Sequence, residues 1–498
     1  MDAHSQPNIV LIFTDNQQAS TLGCYGNSEI HTPHLDALAG ESMVFDNAFC
    51  PNAFCSPCRA SLLTGQMPSQ HGIHSWLDDR RAGEWPGGWH ALSGQKTLPE
   101  QLSSKGYTTA LIGKYHLGQP TTPMPGFDHW VTMEDGHVRS FYRNQITENG
   151  NSYFHEGHSA DFFTEKALDF IQAQEGSGRP FFLYLPYPAP YGHWPATKET
   201  DRCRHSARYD DCPINSIPRR GLSKAAVDGF LMRNKHSSAG LDFSMLMRAP
   251  NDLGTLRNYY AQISMVDEGV GRVVAELDRL GMGDDTLVIF TADHGLSMGH
   301  HGFWGHGAAT MPSNMHHAAH SVPLIVRHRK SIEPGVRSNA MVSNMDLYAT
   351  VLEFTGGGTS TVEDSPLPSR SLAPILKGNA ACHDEDAIYS EQEETRTIRT
   401  SKWTYFKRFA GDGVEPFGDE LYDVEADPEE SINLIDKPEF AAVQADLDTR
   451  LQAHFEVYSR PEADLWSAGR PVQNSARVEL WRQAWGEDWA PVFNLEGL

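Results

Sequence analysis

Residues 54–65 read FCSPCRASLLTG and place two cysteines and an arginine around one proline. Pro57 suits the first turn of a helix, and Gly65 suits the position just beyond its end. Cys55 would then lie at the helix N-terminus, where free N–H groups and the helix dipole favour an anion. Arg59 falls close to the same face and can bind an oxyanion through two parallel hydrogen bonds. The segment therefore predicts a nucleophile that faces a phosphate-like or sulfate-like group.

Polar residues follow four segments that read as buried, β-branched strands. The carboxyl ends of strands are where an open α/β sheet binds its ligands. The candidates are Asp15 and Asn16 after NIVLIFT (8–14), Lys114 and His116 after TTALIG (108–113), Tyr191, Gly192 and His193 after PFFLYLPY (180–187), and Asp293 and His294 after TLVIFT. One such strand end would be weak support, but four of them predict a shared site at one edge of the sheet.

Helical segments separate these strands. The predicted helices span residues 32–42, 97–107, 159–174 and 264–281, and a further buried strand spans residues 322–327. Alternating helices and buried strands predict an α/β fold with a large, mostly parallel sheet. We expect this α/β domain to occupy residues 1–379 and to carry the catalytic groups.

The pattern changes after residue 379. Residues 380–460 contain the short alternating segments AIYSEQ, RTIRTSKWTYFKR and DELYDVE and then a helix near 437–457, which predicts a small antiparallel domain. The tail, residues 461–498, is rich in tryptophan and holds Trp466, Trp481, Trp485 and Trp489. These side chains either pack on the main body or form a subunit contact, in which case the protein is a homo-oligomer.

Composition limits the class of protein. The 498 residues suffice for one large domain plus a smaller one. The net charge of −24 argues against broad binding of nucleic acid. No segment approaches the roughly 20 apolar residues of a membrane span, and the N-terminus lacks a signal-peptide pattern. We therefore expect a cytoplasmic protein with reduced thiols, although Cys203 and Cys212 could pair.

The segment CSPCRASLLTG resembles the C-x-P-x-R signature of the type I, formylglycine-dependent sulfatases, a family of the alkaline phosphatase superfamily. Further segments resemble that family in the same order: NIVLIFTDNQ, GCYGN, TPHLDALA, GKYHLG, HWP at 193–195, TADHG, HGFWGHG, SVPLIV and ELYDVEADPEESINL. The resemblance implies a large mixed sheet flanked by helices, with a smaller C-terminal antiparallel sheet and helix. It also implies a sulfuric ester hydrolase.

The resemblance implies that a formylglycine-generating enzyme converts Cys55 to Cα-formylglycine after translation. The hydrate of that residue carries two hydroxyls on one carbon. One attacks sulfur and expels the alcohol, giving a covalent sulfate, and the other is then deprotonated and expels the sulfate as the aldehyde reforms. A thiol or a serine lacks this second step. Cys58 stands where the family usually has serine, which disfavours a redox or zinc role for the C-x-x-C.

The family also implies one divalent metal that polarises the sulfate and the hydroxyl. Its ligands here would be Asp15, Asn16, Asp293 and His294. Asn16 replaces a frequent aspartate and His294 a frequent asparagine, so the preference for hard cations is weakened. Ca²⁺ is expected first, and Mn²⁺ or Mg²⁺ follows.

Further residues would act on the sulfate by resemblance. Arg59, Lys114 and His193 would neutralise its oxygens, and His116 would assist proton transfers at the formylglycine. The family usually has a lysine where this chain has His306. We expect His306 to contact the sulfate or the leaving oxygen, with a charge only when it is protonated.

Other functions remain open at this point. A phosphonate monoester or phosphodiester hydrolase of the same superfamily is the main alternative, followed by a binding protein in which Cys55 is never converted. A two-zinc phosphatase is disfavoured because paired zinc motifs are missing. Residues 71–90 and 196–250 should form the pocket walls, where Trp76, Trp85 and Trp89 either stack on a substrate ring or anchor the loop. Aryl, sugar and alkyl sulfates are all possible substrates.

Overall fold

The computed structural model describes residues 6–77, 79–136, 138–192, 201–235, 243–357, 366–379, 386–409 and 417–465, together with residues 482 and 486–488. His193 and the four tail tryptophans lie outside the described residues. Their roles, and the oligomeric state expected from the tail, stay predictions. None of the described helices combines the length and the apolar character that crossing a membrane requires.

The strands form a large mixed sheet and a small antiparallel sheet. Their bounds are β1 Asn8–Asp15, β2 Met43–Phe49, β3 Thr108–Gly113, β4 His129–Met133, β5 Tyr142–Glu148, β6 Asn151–His158, β7 Phe181–Pro190, β8 Thr286–Ala292, β9 Ser297–Met298, β10 Trp304–Gly305, β11 Leu324–Arg327, β12 Val336–Ser343, β13 Ala387–Gln392, β14 Thr395–Thr400, β15 Trp403–Arg408 and β16 Glu420–Asp423.

The helices flank these sheets. Their bounds are α1 Pro33–Gly40, α2 Cys55–Thr64, α3 Pro68–His71, α4 Leu98–Ser104, α5 Ser159–Ala173, α6 Lys224–Lys235, α7 Phe243–Arg248, α8 Leu253–Arg279, α9 His317–His320, α10 Leu347–Phe354, α11 Ala373–Leu376 and α12 Ala441–Val457.

The large sheet has ten strands in the order β12-β2-β11-β8-β1-β7-β3-β4-β5-β6. Its centre is parallel, since β1 pairs in parallel with both β7 and β8, and β3 with both β4 and β7. The predicted strand near 322–327 is β11, which runs antiparallel to β8 and β2. The sheet is therefore mixed and mostly parallel, which confirms the predicted fold class.

Strand β1 shows how the sheet separates two cores. Val10 and Ile12 face the side on which α5 and α8 pack, while Leu11 and Phe13 face the side that holds α2, α4 and α10. Successive side chains of a strand point to opposite faces, so an unbroken apolar run is what burial on both faces requires. The strand ends at Asp15, where the polar residues of the site begin.

The C-terminal sheet has the antiparallel order β13-β14-β15-β16. Helix α12 buries Leu447, Leu451 and Phe455 in the core beside this sheet. The sheet and helix predicted after residue 379 are thus present. The boundary itself falls beside residues 380–385, outside the described residues, and it stays a prediction. Cys203 and Cys212 are both free thiols, so they do not pair.

Candidate active site

Helix α2 carries the predicted nucleophile at its first residue. It begins at Cys55 and ends at Thr64, and every residue in it is buried. Gly65 follows in a left-handed conformation with φ 70°, and its N–H donates to the Ser61 carbonyl at 2.8 Å. A Cβ at Gly65 would lie 2.7 Å from the Tyr348 ring, so both backbone and space require glycine here.

Two carboxylates and two cations meet beside Cys55. Lys114 Nζ lies 2.5 Å from Asp15 Oδ2, and Arg59 Nη2 lies 3.2 Å from the same oxygen. Arg59 Nη2 also lies 2.9 Å from Asp293 Oδ2. All four side chains are fully buried. The structure therefore brings together residues from β1, β8, α2 and the segment after β3, as the strand-end pattern predicted.

Backbone groups join the ends of β1 and β8. Asp293 Oδ1 accepts from the N–H of Asn16 at 3.0 Å and from the N–H of His294 at 2.8 Å. Asn16 takes the left-handed conformation, with φ 59°, which asparagine tolerates better than most residues. One carboxylate thus fixes the backbone of both residues that were predicted to accompany the aspartates.

The paired charges shift the pKa values in this cluster. Burial and the neighbouring Asp293 raise the pKa of Asp15 above its ordinary value, in spite of the two cations. Burial alone would also raise the pKa of Asp293, but His294, Arg59 and Lys114 hold it below the ordinary value. Burial alone would lower the pKa of Lys114, but Asp15 and Cys55 raise it overall. Lys114 therefore stays charged.

Cys55 lies against this cluster as a protonated thiol. Its Sγ lies 3.7 Å from Asp15 Oδ1 and 3.5 Å from His294 Nε2. Burial and then the Asp15 carboxylate raise the pKa of the Cys55 thiol well above its ordinary value. Since the thiolate is the reactive form of cysteine, the unconverted side chain is a poor nucleophile here.

The four predicted metal ligands fit a divalent cation. Three of them, Asp15, Asp293 and His294, each have one ligand atom within 4.8 Å of the others and of Cys55 Sγ. His294 donates from Nδ1 to the Gly295 carbonyl at 2.8 Å, so the lone pair of the neutral ring is on Nε2, towards Cys55. Asn16 is fully buried, and its side-chain oxygen and nitrogen have no hydrogen-bond partner among the described residues. A metal would satisfy that oxygen.

His116 is held beside the nucleophile helix by its backbone. Its carbonyl accepts at 3.0 Å from Oγ of Ser56, the residue directly after Cys55. The backbone of His116 is left-handed, with φ 58°. The ring donates from Nε2 to the Leu77 carbonyl at 2.9 Å. The neutral ring therefore has its acceptor lone pair on Nδ1. This arrangement suits the predicted role in proton transfer at residue 55.

His306 lies beside His294 and Phe54. Its ring centroid is 5.4 Å from that of His294 and 4.7 Å from that of Phe54. His306 Nδ1 accepts from the Ala308 N–H at 3.3 Å, so the neutral ring carries its proton on Nε2. The side chain can therefore donate a hydrogen bond without being charged, which the sequence alone did not indicate.

Cys58 has a packing role in this structure. It is fully buried, and its Sγ donates to the Asp293 carbonyl at 2.6 Å. Burial raises the pKa of its thiol well above the ordinary value. This contact supports the backbone of a predicted metal ligand and agrees with the expectation that the C-x-x-C is not a redox pair.

Sequence reasoning missed a contribution from the C-terminal sheet. The last residue of β13, Gln392, lies against the segment that precedes Cys55, where Gln392 Oε1 accepts from the Ala53 N–H at 3.0 Å. A Cβ at Gly307, next to His306, would lie 2.6 Å from that oxygen. These residues are more than 80 positions apart in the chain, and no local pattern signals their contact.

The comparisons with known proteins agree with this site. The family model described as Sulfatase matches residues 7–357, and the model described as N-sulphoglucosamine sulphohydrolase, C-terminal, matches residues 312–456. The chain belongs to the sulfatase family. It is an enzyme that hydrolyses sulfate esters, and its family generally uses a metal ion and a formylglycine.

Individual relatives cover most of the chain. An N-acetylglucosamine-6-O-sulfatase of Bacteroides thetaiotaomicron is 27% identical, over 92% of this chain and 88% of the relative. The human N-sulphoglucosamine sulphohydrolase is 31% identical, over 75% of this chain and 66% of the relative. A solved structure of a protein in complex with its substrate D-glucosamine-2-N,6-O-disulfate superposes with a TM-score of 0.71 at 25% identity, covering 91% of this chain and 98% of that one.

Proposed function

We propose that this sulfatase cleaves the sulfate ester of a saccharide, using formylglycine formed from Cys55 and a divalent cation bound by Asp15, Asn16, Asp293 and His294. The observation that carries the proposal is the position of Cys55 Sγ, 3.5 Å from His294 Nε2 and 3.7 Å from Asp15 Oδ1. The side chain of residue 55 is thus next to two of the proposed metal ligands, Asp15 and His294.

The proposed conversion of Cys55 accounts for the chemistry of a buried thiol. The raised pKa of Cys55 keeps it protonated, so the side chain needs another reactive group. The hydrate of formylglycine supplies two hydroxyls on one carbon, one for attack on sulfur and one for release of sulfate. The position at the start of α2 orients that carbon towards Asp15 and His294.

The charges around residue 55 favour an anionic substrate once a metal is bound. Asp15 and Asp293 formally balance Arg59 and Lys114, so the four side chains together are neutral. A divalent cation makes the cluster positive, which attracts a sulfate monoester in a chain whose net charge is −24. Arg59 and Lys114 are fully buried and already oriented, so they stabilise developing charge with little reorganisation.

Two histidines complete the proposed proton and hydrogen-bond roles. His116, whose Nε2 donates to Leu77, can accept a proton at Nδ1 from the hydrate at position 55. His306, whose Nδ1 accepts from Ala308, can donate from Nε2 to a sulfate or leaving-group oxygen. His193 is proposed as a further sulfate contact from the sequence resemblance alone.

The proposed metal is Ca²⁺, with Mn²⁺ or Mg²⁺ as alternatives. Two carboxylates and an amide oxygen suit a hard cation, whereas the imidazole of His294 also accommodates Mn²⁺. The saccharide is proposed because the relative from Bacteroides thetaiotaomicron is named for a sulfated aminosugar, and the similar solved structure holds a sulfated glucosamine.

A substrate panel tests the proposal. Purified, metal-loaded protein is assayed on glucosamine-6-sulfate, on an aryl sulfate, on a short alkyl sulfate and on an aryl phosphonate monoester that matches the aryl sulfate. We expect the highest kcat/KM on the sugar sulfate and a lower value on the phosphonate than on its matched sulfate. A kcat/KM on the phosphonate higher than that on its matched sulfate would instead support the phosphonate monoester or phosphodiester hydrolase.

A further inference from the structure

Trp76 differs from the other tryptophans of the 71–90 segment. Trp85 and Trp89 are only 7% and 5% exposed, and their ring centroids lie 5.2 Å apart. They anchor the segment by packing together, which is one of the two roles that the sequence left open. Trp76 is only half-buried, so part of its indole stays accessible.

The backbone around Trp76 is tied to the nucleophile helix. Its neighbours in the chain, Ser75 and Leu77, are fully buried. The Leu77 N–H donates to Ser56 Oγ at 3.0 Å, and that hydroxyl donates to the His116 carbonyl at 3.0 Å. Because Ser56 follows Cys55 directly, one side chain fixes both Leu77 and His116 next to the reacting residue.

The indole lies beside the ring of His116. Their ring centroids are 6.1 Å apart, with an interplanar angle of 53°. His116 Nε2 donates to the carbonyl of Leu77, the residue after Trp76. This hydrogen bond fixes the histidine ring relative to the backbone next to Trp76. An alcohol leaving group of a sulfate ester bound near His116 would therefore contact the partly exposed indole of Trp76.

A polar segment also contacts the ring of His116. A Cβ at Gly136 would lie 2.5 Å from His116 Cδ2, so the backbone at residue 136 is in close contact with the ring. Arg139 pairs with Asp135 at 3.0 Å and with Asp79 at 3.2 Å. The carboxylates of this cluster can accept hydrogen bonds from hydroxyl and ammonium groups, and its guanidinium can donate to hydroxyl oxygens.

We propose that Trp76 is the stacking platform for the ring of the alcohol leaving group, and that this ring is a hexopyranose with hydroxyl or amino groups beside its sulfate ester. The inference rests on the proposed function and adds a residue that sets its specificity. The apolar face of a pyranose covers the accessible indole, while the Asp79–Arg139–Asp135 cluster binds the polar edge of the ring.

The test compares two substrates in three variants of the metal-loaded 498-residue chain. The substrates are glucosamine-6-sulfate and a short alkyl sulfate, which has no ring to stack. The variants are Trp76→Ala, Trp76→Phe, which keeps a smaller aromatic face, and Trp403→Ala. Trp403 is a half-buried tryptophan of β15 that packs on Phe440, just before α12, so it controls for loss of a tryptophan elsewhere.

The readout is the ratio of kcat/KM on the sugar sulfate to kcat/KM on the alkyl sulfate. We expect Trp76→Ala to lower this ratio about tenfold, mainly through the KM of the sugar, and Trp76→Phe to restore part of it. Trp403→Ala should match the wild-type ratio. If Trp76→Ala hydrolyses the sugar sulfate and keeps the wild-type ratio, the stacking role of Trp76 is wrong, while the proposed hydrolysis of saccharide sulfates stands. Wild-type protein that hydrolyses the alkyl sulfate and no sugar sulfate overturns the proposed substrate class and the platform with it.

Discussion

The Nε2 atom of His294 lies 3.5 Å from the Sγ atom of Cys55, and the Nδ1 atom of the same ring donates to the Gly295 carbonyl at 2.8 Å. The carbonyl accepts only, so the neutral ring has its lone pair on the side of Cys55. The nucleophile position and a proposed metal ligand are thus adjacent. This relationship makes metal binding and chemistry at residue 55 testable together.

Replacement of Asn16 by alanine should weaken metal binding. The side chain is buried without a hydrogen-bond partner among the described residues, so alanine loses no hydrogen bond there and adds only the strain of its left-handed backbone unless a metal is bound. We expect the Ca²⁺ concentration that half-saturates the rise in melting temperature to increase at least about tenfold. Asn151→Ala, at an exposed position of β6, is the control. An unaltered Ca²⁺ response in Asn16→Ala would remove this residue from the ligand set.

Replacement of Arg59 by lysine should impair catalysis although it keeps the charge. Arg59 reaches Asp15, Asp293 and the Lys114 carbonyl with two nitrogens, which a single ammonium group cannot reproduce. We expect kcat/KM to fall about 100-fold or more in steady-state assays. Arg337→Lys, which alters a half-exposed pair with Asp46, should leave kcat/KM within about twofold. A fall in kcat/KM of less than threefold in Arg59→Lys would contradict the role of the two guanidinium nitrogens.

The two cysteines of the C-x-x-C should respond differently to serine. Serine at position 58 can donate the same hydrogen bond to the Asp293 carbonyl, so we expect Cys58→Ser to keep kcat within a few-fold of the wild type. Serine at position 55 has only one hydroxyl, so we expect kcat to fall at least about 10³-fold. Both variants should unfold at a similar urea concentration. An equal loss of activity in the two variants would show that the pair acts as a unit.

Much of this site could be predicted from the sequence, because β1, β3 and β8 are unbroken apolar runs that end in polar residues. A strand buried on both faces allows little else, and parallel strands bring their carboxyl ends to one edge. The N-terminal position of Cys55 and the left-handed Gly65 likewise follow from local rules. These are the parts of the chain where local sequence and tertiary burial require the same residues.

Other features depend on contacts that no local pattern encodes. The edge hairpin of β5 and β6 was not predicted. One face of the hairpin is exposed, so the sequence of β6, NSYFHEGH, mixes polar and apolar residues and has no continuous apolar run. Gln392 reaches Ala53 from another sheet, and the ring orientations of His116 and His306 depend on the Leu77 carbonyl and the Ala308 N–H. Tautomers follow from hydrogen-bond partners, which only the folded chain supplies.

Stability should fall with rising pH through Asp267. Its carboxylate accepts from the N–H groups of His34 and Leu35 at the start of α1, but burial outweighs these bonds and raises its pKa to about 7. The folded state therefore binds more protons than the unfolded state between about pH 4 and pH 7, and the free energy of unfolding decreases across that window.

Urea unfolding of the wild type and of Asp267→Asn at several pH values measures this effect. From pH 4 to pH 7 the wild type should lose between about 2 and 4 kcal/mol relative to Asp267→Asn, because asparagine does not titrate. Asp169→Asn, at an exposed position of α5, should follow the wild-type curve. Parallel curves for the wild type and Asp267→Asn would show that folding does not raise the pKa of this carboxyl group.

The identity of residue 55 in active protein tests the central claim most directly. Arg59 is the first lysine or arginine of the chain, so trypsin releases residues 1–59 as one peptide, and fragmentation of that peptide by mass spectrometry locates any change to Cys55. We predict the aldehyde or its hydrate at position 55, in a fraction that rises in proportion to the specific sulfatase activity of each preparation. A fully active preparation with an intact thiol at residue 55 would contradict the account.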